Sequence, residues 1–230
     1  PRIPKGYRSM KTAYFWLTPQ GKQLAEQLQA HFGGTVEPKA DFAEAVRRAF
    51  ADCDALVFVM ATGIVVRTIA PLVQSKASDP AVLVLDQRGK HVISLLSGHL
   101  GGANAMAEQA AAYLGGEAVI TTATDVEHVP AFDLFAKENH LTIENLEELK
   151  YISGALVAGE PVSLCTAFPV EKNAFPETVQ IQPFSETPPH ACAVAIADTT
   201  ESVAAPHVLY LRPKSLVLGV GCKKQIPPAH

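Results

Sequence analysis

The run ALVFVMA, residues 55–61, is apolar at every position. A strand with one wet face alternates polar and apolar residues. A strand covered on both faces has no reason to, so this segment predicts a central strand between two helical layers. AYFWLT (13–18), AVLVLD (81–86), HVISLL (91–96) and EAVITT (117–122) read as further strands, and TVEP as a short one. Helical spacing fills the gaps. PQGKQLAEQLQAHF starts with Pro19 in a first turn, repeats Leu24, Leu28 and Phe32 every fourth residue, and stops at Gly33-Gly34. DFAEAVRRAFADC carries Asp41 as an N-cap and turns Ala45, Val46, Ala49 and Phe50 inward. TGIVVRTIAPLV is a short helix that Pro71 disturbs or ends. This alternation predicts an α/β fold. The N-terminal domain has three layers and a mainly parallel sheet, with one strand of the QRGK hairpin antiparallel.

The pattern changes after about Asp125. AFDLFAKENHLTI and NLEELKYISGALVAG look helical; VSLCTA, VQIQPF, ACAVAIAD and HVLYLRPKSLVLGVGC look like strands between Pro-rich turns. The expected domains are 10–127, a smaller α/β domain over 128–215, and a remainder from 216 to 230, where KKQIPPAH reads as an unfolded end.

Composition excludes several functions. A net charge of -4 over 230 residues gives no global positive field for nucleic acid. Cys53, Cys165, Cys192 and Cys222 are scattered, which argues against a zinc site or disulfide framework and fits a reducing cytoplasm. His128, His140 and His190 show no metal-ligand spacing. No apolar run nears the ~20 residues needed to cross a membrane. Glu147-Glu148 reads as a solvated helix face.

Three strands run into loops of small polar residues. VFVMA meets Thr62-Gly63, ISLL meets Ser97-Gly98-His99-Leu100-Gly101-Gly102, and AVI meets Thr121-Thr122-Ala123-Thr124-Asp125. Ligands of open α/β sheets bind beyond the carboxyl ends of parallel strands, so these loops are expected to meet at one edge. That requires 91–96 to run parallel to 55–60 and 81–86 to run antiparallel. The stretch QSKASDP would allow it, since seven extended residues span ~23 Å, about one strand length.

Leu100, Ala103, Ala107, Ala110 and Leu114 share helical spacing, so the next helix is expected to take Ser97 as its N-cap and hold Gly101 and Gly102 in its first turn. Ser97 reads first as that cap and second as a nucleophile. A histidine in a first turn is disfavoured from protonation, which makes His99 a candidate neutral base; a bond to a neighbouring loop would explain it equally. Asp125 could orient His99, activate water, or cap the following helix. Gly63, Gly98, Gly101 and Gly102 suit either close ligand approach or tight packing. Asn104 lies one turn on from His99. Arg67 can reach back over Thr62-Gly63, where a guanidinium beside free N–H groups suits a carboxylate or phosphate. Residues 60–105 carry an excess of two positive charges, with Lys90 among them. Thr121, Thr122 and Thr124 read as turn chemistry or as ligand contacts.

MATGIVVRTIAPL, VISLLSGHLGGANAMAEQAAAYLG and VITTATDV, in this order and spacing, resemble the cobalt-precorrin-5A hydrolase family of anaerobic cobalamin biosynthesis, called CbiG. The likeness covers residues 12 to 127. Residues 130 to 215 are similar to the family's variable middle domain, and LRPKSLVLGVGCKK resembles the opening of its third domain. The resemblance implies water-dependent opening of a lactone on a cobalt-containing, ring-contracted tetrapyrrole, with loss of the former bridging carbon as acetaldehyde and formation of cobalt-precorrin-5B. Cobalt belongs to the substrate, so no protein cofactor is expected. The substrate's acetate and propionate arms fit the local basic excess, with Arg67 and Lys90 holding carboxylates. His99 or Asp125 would deprotonate water, and N–H groups of 97–102 or 62–64 would hold the oxyanion. Partners would be a separate C-terminal domain or other enzymes of the pathway. The alternatives are a non-catalytic corrinoid-binding or handover subunit, and a phosphate- or nucleotide-binding domain; the latter lacks both GxGxxG and GxxxxGK[ST].

Overall fold

Ala55, Val57 and Val59 of strand β3 (Ala55–Val59) are buried in one apolar cluster, and Leu56 and Phe58 in another on the opposite face. Helices therefore cover both faces of this strand, which explains its unbroken apolar run. The computed structural model describes residues 10–171 and 174–214. It divides into two compact units, Pro1–Leu134 and Phe135–His230.

In the first unit, β1 (Thr12–Trp16), α1 (Pro19–Phe32), β2 (Thr35–Val36) and α2 (Phe42–Asp52) precede β3; α3 (Thr62–Ile69), β4 (Ala81–Leu85), β5 (His91–Leu96), α4 (Ala103–Leu114) and β6 (Glu117–Val119) follow it. The sheet order is β2-β1-β3-β4-β5-β6. Leu24, Ala25 and Leu28 of α1 and Ala103, Ala107, Ala110 and Ala111 of α4 pack on one face. Ala45, Val46, Ala49 and Phe50 of α2 and Val65 and Ile69 of α3 pack on the other. Each such Leu, Val or Phe contributes about 1.5–3 kcal/mol by leaving water. The expected three layers and mainly parallel sheet are present. Thr18 caps α1, its Oγ1 accepting from Gly21 N at 3.0 Å. Asp41 precedes α2 in the left-handed region (φ 52°) and makes no side-chain cap bond.

The expected strand directions are reversed. β4 pairs parallel with β3, through Val57↔Leu83 and Val59↔Leu85, and β5 pairs antiparallel with β4. The reason lies in residues 74–80, which do not extend. The Asp79 carboxylate accepts from Gln74 N (3.0 Å) and Ser75 N (3.1 Å), and Asp79 N returns to Ser75 O (2.8 Å). This compact turn leaves the chain at the foot of α3, and β4 rises beside β3 as in an ordinary βαβ unit. β5 descends after the hairpin, and β6 runs parallel to β5. The carboxyl ends of β1, β3 and β4 thus form one rim of the sheet, and those of β5 and β6 the opposite rim.

Next come α5 (Ala123–Val126) and α6 (Phe132–Glu138). The helix expected to continue to 143 stops at Glu138. His140 takes a positive φ of 55°, and Leu141–Ile143 forms strand β7. After a 3-10 turn, α7 (Leu149–Val157) precedes β8 (Val162–Thr166), β9 (Val179–Pro183), β10 (Cys192–Ile196) and β11 (His207–Pro213). The second sheet has order β7-β11-β10-β8-β9, all parallel except β7 against β11. Residues from 215 onward, including KKQIPPAH and most of the segment that resembles a third domain, lie outside the described residues. No helix among the described residues is long and apolar enough to cross a membrane.

Candidate functional site

β5 and β6 end side by side, and their loops bring His99 and Asp125 together. His99 Nε2 lies 2.7 Å from Asp125 Oδ2, and His99 Nδ1 lies 3.2 Å from Asp133 Oδ1. An ionised carboxylate only accepts, so a ring with a carboxylate at each nitrogen is held with both N–H groups present. The hydrogen bond to Asp133 first, and then the one to Asp125, outweigh burial and raise the His99 pKa to about 9. Burial pushes Asp133 up, but the imidazolium and Leu134 N outweigh it and hold its carboxyl below the ordinary range. His99 is therefore a cation at neutral pH, not the neutral base expected of it.

Its position explains the difference. The helix does not begin at Ser97. It begins at Ala103, after Gly102 in the left-handed region (φ 88°), so His99 stands outside the first turn and is governed by the two carboxylates. Ser97 does not cap it: its Oγ donates to Asp79 O at 2.9 Å, and its backbone sits at φ 59°. A serine nucleophile needs a base at its hydroxyl, and this one faces a carbonyl. The glycines answer to packing. A Cβ on Gly98 would lie 2.7 Å from Asn104 Oδ1, and one on Gly101 would collide with Ser97 Cβ and lie 2.7 Å from Ser97 O.

Asn104 ties the cluster to the sheet. Its Oδ1 accepts from Ser94 Oγ (2.6 Å), and its Nδ2 donates to Thr122 Oγ1 (3.1 Å) and Asp125 Oδ2 (3.0 Å). Thr124 Oγ1 is buried 3.4 Å from His99 Nε2, while Thr121 is exposed. Asp125 Oδ2 thus receives His99 and Asn104 together, and the Asp125 side chain remains 37% exposed against 11% for His99 and 9% for Asp133. Asp125 is the member of the cluster that faces outward.

Thr62, Gly63, Arg67 and Lys90 do not join this site. Thr62 and Gly63 follow β3 and Lys90 precedes β5, which puts all three at the opposite rim. Arg67 does reach back, with Nη1 donating to Gly63 O at 3.0 Å, but over that other rim. The basin expected to unite Thr62 with His99 and Asp125 is therefore split in two. Asp133 was missed in the sequence. It sits in FDLF at the start of α6, where an acidic residue in a first turn has a sufficient local explanation. Among the described residues, no group of three or more His, Cys, Asp and Glu is arranged to hold a metal.

Comparison with known proteins sharpens the picture. Two family models match in succession, "Cobalamin synthesis G N-terminal" over residues 44–125 and "Cobalamin biosynthesis central region" over 130–213. The cobalt-precorrin-5A hydrolase of Salmonella typhimurium is 37% identical across 94% of this chain and 66% of its own length. That of Priestia megaterium is 37% identical across 74% of this chain and 48% of its own. This chain therefore spans less than two thirds of either curated relative. The crystal structure of a cobalamin biosynthesis protein G homolog from Sulfolobus solfataricus superposes with a TM-score of 0.53 at 24% identity, covering 88% of this chain and 60% of that one, and supports the fold alone. With two consecutive family regions and relatives of one name along most of its length, the chain belongs to the CbiG family of cobalamin biosynthesis.

Proposed function

We propose that the chain opens the lactone of cobalt-precorrin-5A with water and releases acetaldehyde, giving cobalt-precorrin-5B in the anaerobic route to cobalamin. Relatives of that name support the substrate. The observation that carries the chemistry is Asp125: one carboxylate oxygen is fixed by His99 and Asn104, and the group remains open to solvent. That is the geometry of a general base, which contributes about 10²–10⁴-fold when well placed.

Asp125 takes a proton from water as the hydroxide adds to the lactone carbonyl. Backbone N–H groups of Gly98 and His99 hold the oxyanion; those of 62–64, at the other rim, do not take part. Collapse breaks the acyl–oxygen bond and frees an alkoxide on the former bridging carbon. The alkoxide forms the aldehyde carbonyl, and the bond from that carbon to the macrocycle breaks. Its electron pair passes to the macrocycle carbon, which takes the proton from Asp125. One water is consumed, its hydroxyl ending on the acyl group and its proton on the macrocycle. His99, a fixed cation with both N–H groups engaged, orients Asp125 and offsets the charge of two neighbouring carboxylates. Cobalt enters and leaves with the substrate. The free thiols of Cys53, Cys165 and Cys192 fit a cytoplasmic setting.

The test is acetaldehyde release from cobalt-precorrin-5A, followed with an aldehyde-reducing enzyme and NADH. Wild type should turn over, and Asp125→Asn should lose at least 100-fold in kcat with corrinoid binding retained. Binding without turnover by wild type would defeat the hydrolase reading and favour a handover subunit. Full activity in Asp125→Asn would remove Asp125 from the scheme.

A further inference from the structure

The rim that lost its expected histidine holds a cavity instead. It measures about 630 Å³ and lies at the carboxyl ends of β1, β3 and β4, walled by apolar Leu17, Met60, Ile64, Ile93 and Val119 with Thr62 among them. Small-molecule sites run from about 300 to 1,000 Å³ and share this mostly apolar lining. The wall includes Ile64, which leaves 37% of its surface exposed.

Cations flank the cavity without lining it. Lys39 Nζ is anchored on Leu17 O at 2.9 Å, Arg67 Nη1 on Gly63 O at 3.0 Å, and Arg88 and Lys90 lie in the hairpin beside it. Three carboxylates share this rim: Asp86, which also lines the cavity, Glu37, and Glu117 beside His91. Asp86 accepts from Arg88 N (2.8 Å) and His91 N (2.7 Å), and Glu37 lies 3.8 Å from Arg48. The opposite rim carries Asp54, Asp79, Asp125 and Asp133 at or near the strand ends, with Lys11, Lys76 and His99 beside them. A flat apolar ring bearing many carboxylates gains at the first rim from the apolar wall and from a small excess of cations, and finds no such excess at the second.

We infer that the cavity between Thr62, Ile64 and Ile93 is a second, non-catalytic site that holds a carboxylate-rich tetrapyrrole, about one strand length (~17 Å) from Asp125. The inference rests on the corrinoid reading of the substrate, but its test does not depend on turnover. Uroporphyrin I, a flat tetrapyrrole with carboxylate arms and no lactone, is titrated into the 230-residue chain while the fluorescence of Trp16 is followed. Wild type should bind, more weakly as salt is raised. The double variant Lys39→Gln/Arg67→Gln and the single variant Ile64→Asp should each weaken binding at least tenfold with unchanged thermal melts, and Asp125→Asn by less than twofold. Absence of wild-type binding would overturn the inference. So would wild-type affinity in both rim variants, or a loss confined to Asp125→Asn. Acetaldehyde release decides the hydrolase reading separately: a chain that turns over but ignores the rim variants keeps the reaction and loses this site, and the converse result does the opposite.

Discussion

His99 Nδ1 lies 3.2 Å from Asp133 Oδ1, and both side chains are nearly buried. The pair explains why a histidine in a glycine-rich loop is rigid and charged. Its other nitrogen then has one task, which is to fix Asp125. Asp133 is thus a positioning residue: it acts on the outward carboxylate only through the ring between them.

Replacing Asp133 by Asn tests that role. The amide keeps the shape and removes the charge, so the largest influence raising the His99 pKa is lost and the value should fall from about 9 toward 6.5. Nuclear magnetic resonance titration of the imidazole reads this directly. A His99 pKa unchanged within 0.3 units (roughly 0.4 kcal/mol) would show that Asp133 does not govern the ring. Activity should follow, with the alkaline limb of the pH–rate profile moving to lower pH while KM holds.

The same shifts set a pH dependence of stability. His99 has a raised pKa in the folded state, so its contribution is complete below 6.5 and is lost as pH rises through about 9. Asp133 has a lowered one, so its contribution is complete above 3.8 and is lost as pH falls through its folded value. The cluster should stabilise the fold most between about pH 4 and 6.5. The His99 part is on the order of 3 kcal/mol. Melting temperatures of wild type and His99→Gln should differ most near pH 5–6 and converge above pH 9. A gap that stays constant from pH 5 to 10 would contradict the ion-pair account.

Much of the fold could be read from the residues, and the unread part has a definite cause. β3 and the helices α1 and α2 announce themselves because apolar spacing and burial say the same thing twice. The meeting of His99 with Asp125 depends only on β5, α4 and β6 forming a βαβ unit, which is local and was visible. The joining of Thr62 to them depended on whether QSKASDP stretches or curls. That is decided by the Asp79 carboxylate closing on Gln74 and Ser75, a contact no periodicity encodes. Strand direction propagates such a choice, so one turn moved four of the candidate residues to the other rim. Ser97 misled for a related reason. A serine before a helical pattern reads as a cap, yet Gly102 at φ 88° restarts the helix later and frees Ser97 to bond across to Asp79 O.

The two glycine loops should respond differently to alanine. A Cβ on Gly101 would run into Ser97 Cβ and lie 2.7 Å from Ser97 O, both parts of a tight turn that cannot give way. Gly101→Ala should therefore cost about 1–3 kcal/mol, as overpacking does. At Gly63 the nearest atom is Arg67 Nη1 at 3.3 Å, the far end of a long side chain that can adjust, and the residue sits at the start of α3. Gly63→Ala should be neutral or slightly stabilising, since alanine is the better helix former by about 1 kcal/mol. Urea unfolding of both variants checks the contrast, and equal costs would reject the packing explanation of the 97–102 loop.

Asn104 gives the sharpest test of the outward carboxylate. Its Nδ2 donates to Asp125 Oδ2 at 3.0 Å, and its Oδ1 takes the Ser94 hydroxyl at 2.6 Å. Asn104→Asp preserves size and the acceptor that Ser94 needs, while turning a donor to Asp125 into a second negative charge. Two carboxylates at hydrogen-bond distance cannot both ionise easily, so one proton is held to higher pH. If Asp125 must be ionised to take a proton from water, the acid limb of the pH–rate profile should move up by one unit or more (at least about 1.4 kcal/mol), and activity should recover as pH is raised. Asn104→Ala removes the donor without adding charge and should lower the rate with much less movement of that limb. An acid limb that stays in place in Asn104→Asp would mean that the ionisation governing turnover lies elsewhere than on Asp125.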